Sequence, residues 1–338
     1  MPWNVIGHEW AVDMLRRDLA HDRVRHAYLF TGPPGIGKRT LAGEFSRALL
    51  CEAADPPCGR CRHCLLSARG SHADLLTVEP TVSGKSVRTA KIKIEPVRAM
   101  MHDLSVSPVE ARRRVARIWR FDTANDEAMN AFLKTLEEPP GQAVILLTAE
   151  RADDLLPTIV SRCELVALRP LPLETVQNAL ITNWMVSAER ADLLAHLSQG
   201  RLGWAVRMNA DEAALDARRQ RLDDLSMLVP ASRVTRFSYA EKLARENNSV
   251  GLQATLELWL GFWRDVLLVS AGAAAPLANP DRDAEIRRLA QALAPTRASD
   301  VVAGLLRTAS LLEKNVNARL ALEVCLLDWP RLPANGYG

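Results

Sequence analysis

The chain has no run of 18 apolar residues, so its sequence predicts no membrane span. It has little net charge either: 43 Lys and Arg against 40 Asp and Glu leave +3. That balance permits a weak, diffuse attraction to DNA without demanding one. Internal repeats are absent. The opening Met1-Pro2-Trp3-Asn4 runs quickly into charged residues, so no signal peptide is expected and the chain reads as cytoplasmic. In that compartment thiols stay reduced, and clustered cysteines favour metal over disulfide. What is present is ordinary globular material. The 338 residues are enough for two or three domains, and the chain is 48% hydrophobic and 25% charged.

Trp10, Met14, Leu15 and Leu19 stand near helical spacing, so 8–21 reads as an amphipathic helix. Ala27–Thr31 is a short apolar run ending in glycine, which fits a buried parallel strand. A glycine-rich loop follows. Then 40–50 reads as a helix with Leu41, Phe45, Ala48 and Leu49 on one side. Further strands are expected at 75–78, 114–119 and 144–147. Strands alternating with helices predict a parallel α/β sheet over 1–168. Arg169-Pro170-Leu171-Pro172 breaks that pattern. Beyond it no strand is expected. Two or three short helices should lie around Gly200 and Gly203 within 169–210. A second all-helical domain should fill 211–338, with helices such as 251–270 and 301–314.

The loop Gly32-Pro33-Pro34-Gly35-Ile36-Gly37-Lys38-Arg39-Thr40 is a nearly complete P-loop in the required strand–loop–helix context. Such a loop turns backbone N–H groups toward phosphate at a helix N-terminus, and Lys38 would reach the β and γ phosphates. The residue after the lysine should be Ser or Thr, to hold Mg²⁺. Here it is Arg39, and Thr40 comes one place late, about 100° round the helix. Hydrolysis also needs acids at the end of a neighbouring strand. The candidate strand ends Trp119-Arg120-Phe121-Asp122, with one acid, late and after an arginine. Gly32, Gly35, Gly37, Lys38 and Thr40 therefore make a degenerate nucleotide site. It would bind ATP weakly or not at all, or serve only as a glycine-rich turn.

Cys51, Cys58, Cys61 and Cys64 are spaced C-x6-C-x2-C-x2-C. Thiolates at that spacing converge on one tetrahedral Zn²⁺, and four of them close a structural site with no catalytic opening. The alternative is a set of reduced thiols or a redox pair at Cys58 and Cys61. Cys163 and Cys325 sit in apolar company and read as core residues.

Together these residues resemble the delta-prime family of bacterial DNA polymerase III clamp-loader subunits. The likeness starts at Ile6-Gly7-His8 and His26-Ala27-Tyr28-Leu29-Phe30, and continues through the cysteines and the stretch 92–98. It is sharpest in the stretch 130–140, which contains Leu133-Lys134-Thr135-Leu136-Glu137-Glu138-Pro139-Pro140, and in the stretch 155–163, which ends Ser161-Arg162-Cys163. It returns at Asn315-Val316-Asn317-Ala318-Arg319. Gamma/tau motor subunits share several of these motifs. They also keep a Lys-Ser/Thr pair, an Asp-Glu pair and a lid arginine. Here those positions are Lys38-Arg39, Trp119-Arg120 and Gly203, and all three depart toward delta-prime.

The resemblance implies a RecA-like AAA+ domain at 1–168 with a zinc module at 51–64, a helical lid at 169–210, and an oligomerising helical collar at 211–338. It implies a subunit of DNA polymerase III, a DNA-directed DNA polymerase, with no ATPase activity of its own. The partners implied are delta and gamma/tau, with the sliding clamp and primed DNA met through the complex. Arg162 would act in trans as an arginine finger on a neighbour's γ-phosphate, a task suited to a planar, always-charged guanidinium. Taken alone, Arg162 reads as a surface or structural arginine. The rival readings are a gamma/tau motor and a zinc-dependent nucleic-acid-binding module.

Overall fold

The computed structural model describes residues 3–81, 91–247, 249–314 and 316–332. Asn315, one of the residues carrying the resemblance, lies outside them, as do residues 1–2 and 333–338 of the expected outer domains.

In chain order the elements are α1 (Glu9–Ala20), β1 (Ala27–Thr31), α2 (Lys38–Leu50), α3 (Arg62–Arg69), β2 (Leu75–Val78), α4 (Ile94–Leu104), β3 (Arg114–Ile118), α5 (Asp126–Glu137), β4 (Ala143–Ala149), α6 (Pro157–Val160) and β5 (Glu164–Ala167). Helices alone follow: α7 (Leu173–Trp184), α8 (Ala188–Ser198), α9 (Leu202–Ala210), α10 (Glu212–Leu228), α11 (Arg233–Glu246), α12 (Ser249–Ser270), α13 (Asp283–Ala292), α14 (Pro295–Glu313) and α15 (Ala318–Leu327). Contacts gather the chain into two compact units, Met1–Ala179 with Gly200–Trp204, and Leu180–Gln199 with Ala205–Gly338. Among the described residues no helix is long and apolar enough to cross a membrane.

The first unit is built on a five-stranded parallel sheet in the order β2-β3-β4-β1-β5. Its central strands are buried on both faces, which is why they read as continuous apolar runs. Ala27, Leu29, Ala116, Ile118, Ile145 and Leu147 pack against residues of α4, α5 and α6. The alternate residues Tyr28, Phe30, Val115, Val144, Leu146 and Val166 pack with α1 and α2.

Three local expectations need correction. Trp10, expected on the buried side of 8–21, is 49% exposed. The inward stripe of α1 instead runs through Ala11 and Leu15, because adjacent helical residues diverge by about 100°. The sheet also has a fifth strand, β5, that the sequence did not announce. It is an edge strand in which only Val166 is buried, so it offers no apolar run. Finally, α2 starts at Lys38, not at residue 40, with Gly37 in the left-handed region as its cap.

In the second unit, Trp259, Phe262, Trp263 and Val266 of α12 are fully buried among residues of α10, α13, α14 and α15. Trp329 packs edge-on against Trp259 and Trp263, with ring centres 5.1 and 5.6 Å away. Cys325 is part of this core, and burial pushes its thiol up to about 11.

Candidate functional site

The P-loop leaves the end of β1 and feeds α2. Gly32, Gly35 and Gly37 have φ of 137°, 82° and 114°, a region that residues with a Cβ rarely adopt. The loop is held from several sides. Gly32 N–H donates to the Glu150 carbonyl at 3.0 Å. His8 is buried, and its Nε2–H donates to the Ile36 carbonyl at 2.9 Å. Lys38 turns back on its own loop: its ammonium donates to the carbonyls of Gly32 and, at 3.1 Å, of Pro33. Burial lowers the Lys38 pKa, against the opposing pull of Glu150 and Asp122. Thr40, two residues further along the helix, is exposed.

The positions that would need to supply metal ligands carry cations and an indole. Arg39 pairs with Glu79. The Arg39 and Arg117 guanidinium groups lie 5.1 and 5.3 Å from the centre of the buried Trp119 ring. Arg117 also donates to Thr77 Oγ1 at 3.0 Å. Burial, with Arg39 nearby, brings the Arg117 pKa down to about 10. Arg120 has φ of 54°, and its N–H donates to Thr148 Oγ1 at 2.8 Å. Asp122 lies in a single 3-10 turn, Phe121–Thr123. Its Oδ1 is buried without a hydrogen-bond partner, and burial pushes its carboxyl up despite Arg120 and Lys38.

Gly203, expected at the lid-arginine position, donates its N–H to the Gly35 carbonyl at 2.8 Å. A Cβ built there would lie 2.9 Å from that same oxygen. The contact with the phosphate loop therefore requires glycine.

Arg162 sits toward the opposite, amino-terminal end of the strands. In the parallel pairing of β1 with β5, Tyr28 stands beside Glu164 and Thr31 beside Ala167. The P-loop follows Thr31, whereas Arg162 precedes Glu164. Three strand steps of about 3.3 Å separate the two strand ends by about 10 Å before either loop is counted. The Arg162 side chain is 34% exposed. It donates to Glu137 Oε1 at 2.9 Å and to the Thr158 carbonyl at 2.9 Å. The adjacent Cys163 is half-buried, and burial pushes its thiol up to about 12.

The four clustered cysteines converge. Cys51 and Cys61 sulfurs are 3.9 Å apart, as are those of Cys58 and Cys64. All four sulfurs lie within 4.8 Å of one another. Thiolates about 2.3 Å from a tetrahedral Zn²⁺ stand about 3.8 Å apart, so the donor set fits. Backbone N–H groups of Cys58, Cys61 and Cys64 point at the sulfurs of Cys51, Cys58 and Cys61, each at 3.4 Å. N–H donors from Arg60 and Cys61 bring the Cys58 thiol down to about 6, while burial pushes Cys51 and Cys64 up.

His63, His72 and Glu110 form a second cluster within 4.8 Å. Burial lowers the His72 pKa and so favours the neutral ring. Its Nδ1 accepts the Asp74 N–H at 3.0 Å, which leaves the ring proton on Nε2, donated to His63 Nδ1 at 2.8 Å. That proton stands where a metal would bind. The histidines thus brace α3 against the start of β2.

The matching family over residues 7–172 is described as DNA polymerase III, delta subunit, and over 212–331 as its C-terminal part. The DNA polymerase III subunit delta' of Pseudomonas aeruginosa is 32% identical over 92% of this chain and 93% of its own length. The chain belongs to the DNA polymerase III delta-prime family. The tau subunit of Escherichia coli is 28% identical over 98% of this chain but only 54% of its own length. A solved gamma subunit-related protein from Thermotoga maritima, 19% identical, shares the fold with a TM-score of 0.50 over 94% of this chain and 97% of its own. The delta-prime family thus has here a parallel α/β unit and a helical C-terminal region.

Around the delta-prime P-loop, His8 was legible only as part of a motif, and Glu79 and Arg117 carried no sequence signal as neighbours of the loop. Glu150 directly follows the last residue of β4 and could have been found, because ligands of open α/β sheets meet the carboxyl ends of the strands. His8 is far from the loop in sequence and is joined to it only by the fold.

Proposed function

We propose that this chain is a clamp-loader subunit that hydrolyses no ATP itself and completes a neighbour's ATP site with Arg162. The observation that carries this reading is the contrast between the two ends of its strands. At one, Lys38 is folded onto its own loop and Arg39, Trp119 and Arg120 stand where metal ligands are needed. At the other, Arg162 is partly exposed and precedes β5, at the opposite end of the strands from the chain's own loop.

In this proposal 1–168 is the RecA-like domain, 169–210 the lid and 211–338 the collar that assembles with delta and gamma/tau subunits in the cytoplasm. The sliding clamp and primed DNA are met through that complex. Gly32, Gly35, Gly37, Lys38 and Thr40 keep the shape of a phosphate loop but bind ATP weakly or not at all. Arg162 supplies a fixed positive charge to the phosphate oxygens of ATP held by the neighbouring subunit. As charge develops there, a guanidinium can donate two hydrogen bonds at once. Cys51, Cys58, Cys61 and Cys64 would hold one Zn²⁺, whose chemistry here is structural: it staples 51–64 onto the end of α2.

The purified chain is expected to show no ATP turnover above background, and Lys38→Ala is expected to change nothing. Turnover of about 1 s⁻¹ or more, abolished by Lys38→Ala, would contradict the proposal and favour a gamma/tau-type motor.

A further inference from the structure

The geometry points to Glu137 as a positioning residue for Arg162: its carboxylate holds the guanidinium ready for a neighbouring subunit's nucleotide phosphate. This rests on the trans role proposed above for Arg162.

An isolated surface ion pair carries little meaning. Three features set this one apart. First, the guanidinium is held from two elements, by Glu137 Oε1 at the end of α5 and by the Thr158 carbonyl in α6, each at 2.9 Å. A two-point grip fixes the plane of the group. Arginine has five N–H donors; with a longer bond to Ser161 Oγ at 3.5 Å, three are used and two remain for an incoming phosphate. Second, Glu137 is the last residue of α5 and Glu138 is its cap. An acid at a helix C-terminus faces the negative end of the helix dipole, where cations are the stabilising choice. The chain therefore places a carboxylate where the helix does not favour one, and Arg162 is the cation that meets it. Third, both residues stand on short, rigid supports. Pro139 and Pro140 stop α5 directly after Glu138, and α6 begins with Pro157 and leads into β5 two residues after Arg162.

Glu137 does not touch the neighbour's nucleotide in this account. It removes the freedom of a long side chain before the phosphate arrives, and preorganisation of that kind raises rate without adding a contact.

The test uses the full assembly of this chain with delta, gamma/tau, clamp and primed DNA, and reads steady-state ATP turnover. Arg162→Ala sets the largest loss this site can produce. Glu137→Ala is expected to cause at least about half of that loss, consistent with weakening a charge-assisted hydrogen bond. Glu137→Gln, which keeps an acceptor oxygen, should recover part of it. Glu137→Ala combined with Arg162→Ala should be no worse than Arg162→Ala alone. Assembly and melting temperature are measured on each variant, and Glu137→Gln serves if Glu137→Ala assembles poorly. Wild-type turnover in both Glu137 variants, in an assembly that Arg162→Ala impairs, overturns this inference and leaves the trans role standing. Additive losses in the double variant overturn it in the same way. Wild-type turnover with Arg162→Ala overturns both.

Discussion

Asp74 has no solvent exposure, yet it keeps a charge. Its carboxylate accepts backbone N–H bonds from Val109 at 2.7 Å and from Glu110 and Ala111 at 2.8 Å, with Arg114 3.4 Å away. Burial raises its pKa, but the three donors and Arg114 outweigh burial and hold the carboxyl below its usual range. A folded pKa below the unfolded value gives stability that is present above the unfolded pKa of about 3.9 and lost as pH falls through the folded one. Asp74→Asn is therefore expected to lower stability at pH 7 by about 2 kcal/mol. In denaturant melts, the wild-type advantage should hold from pH 7 to 5 and shrink below about pH 4. A gap that is the same at pH 3 and pH 7 would contradict this account of Asp74.

Among the elements, α11 depends on one arginine that no carboxylate among the described residues meets. Arg236 is 3% exposed and donates five hydrogen bonds to the carbonyls of Leu228, Val229, Leu326, Trp329 and Pro330. Those oxygens include the last residue of α10 and the end of α15, carbonyls that a helix cannot satisfy internally. Arg236→Ala leaves them buried and unpaired. It should cost about 3 kcal/mol or more, read by loss of the buried-tryptophan emission of Trp259, Trp263 and Trp329 at lower denaturant. A shift of under about 0.5 kcal/mol would show that water replaces the side chain.

The segment 51–64 makes a parallel case for metal. Its four sulfurs stand at zinc spacing, and α3 begins inside the cluster. Cys61→Ser should lower bound zinc from one per chain and reduce the melting temperature by about 5 °C or more. Zinc content unchanged by the substitution would rule out this ligand set.

At the scale of the whole chain, the sheet and the helical remainder were legible because their signals are local and periodic. β1 could be read to the residue, since a central parallel strand is apolar on both faces. β5 could not, because an edge strand with one buried side chain carries no period. The cysteines and the altered P-loop were legible from spacing alone. What closes that loop was not. His8 and Gly203 reach it from 24 residues or more away along the chain, and only the fold says that they meet. Glu137 was quoted as part of a motif, but its partner is 25 residues on and the pairing follows from how α5 and α6 end.

The central claim is that a chain without turnover of its own drives turnover next door. The most direct measurement is DNA- and clamp-stimulated ATP hydrolysis, with clamp loading, by the assembly containing Arg162→Ala. An arginine finger is worth about 10³–10⁵ at the site it serves, so that site should fall silent while the other sites continue. Total hydrolysis should drop partially, clamp loading should slow, and the fold and subunit composition should stay unchanged. An assembly of normal composition that hydrolyses ATP and loads clamps at the wild-type rate would contradict the account.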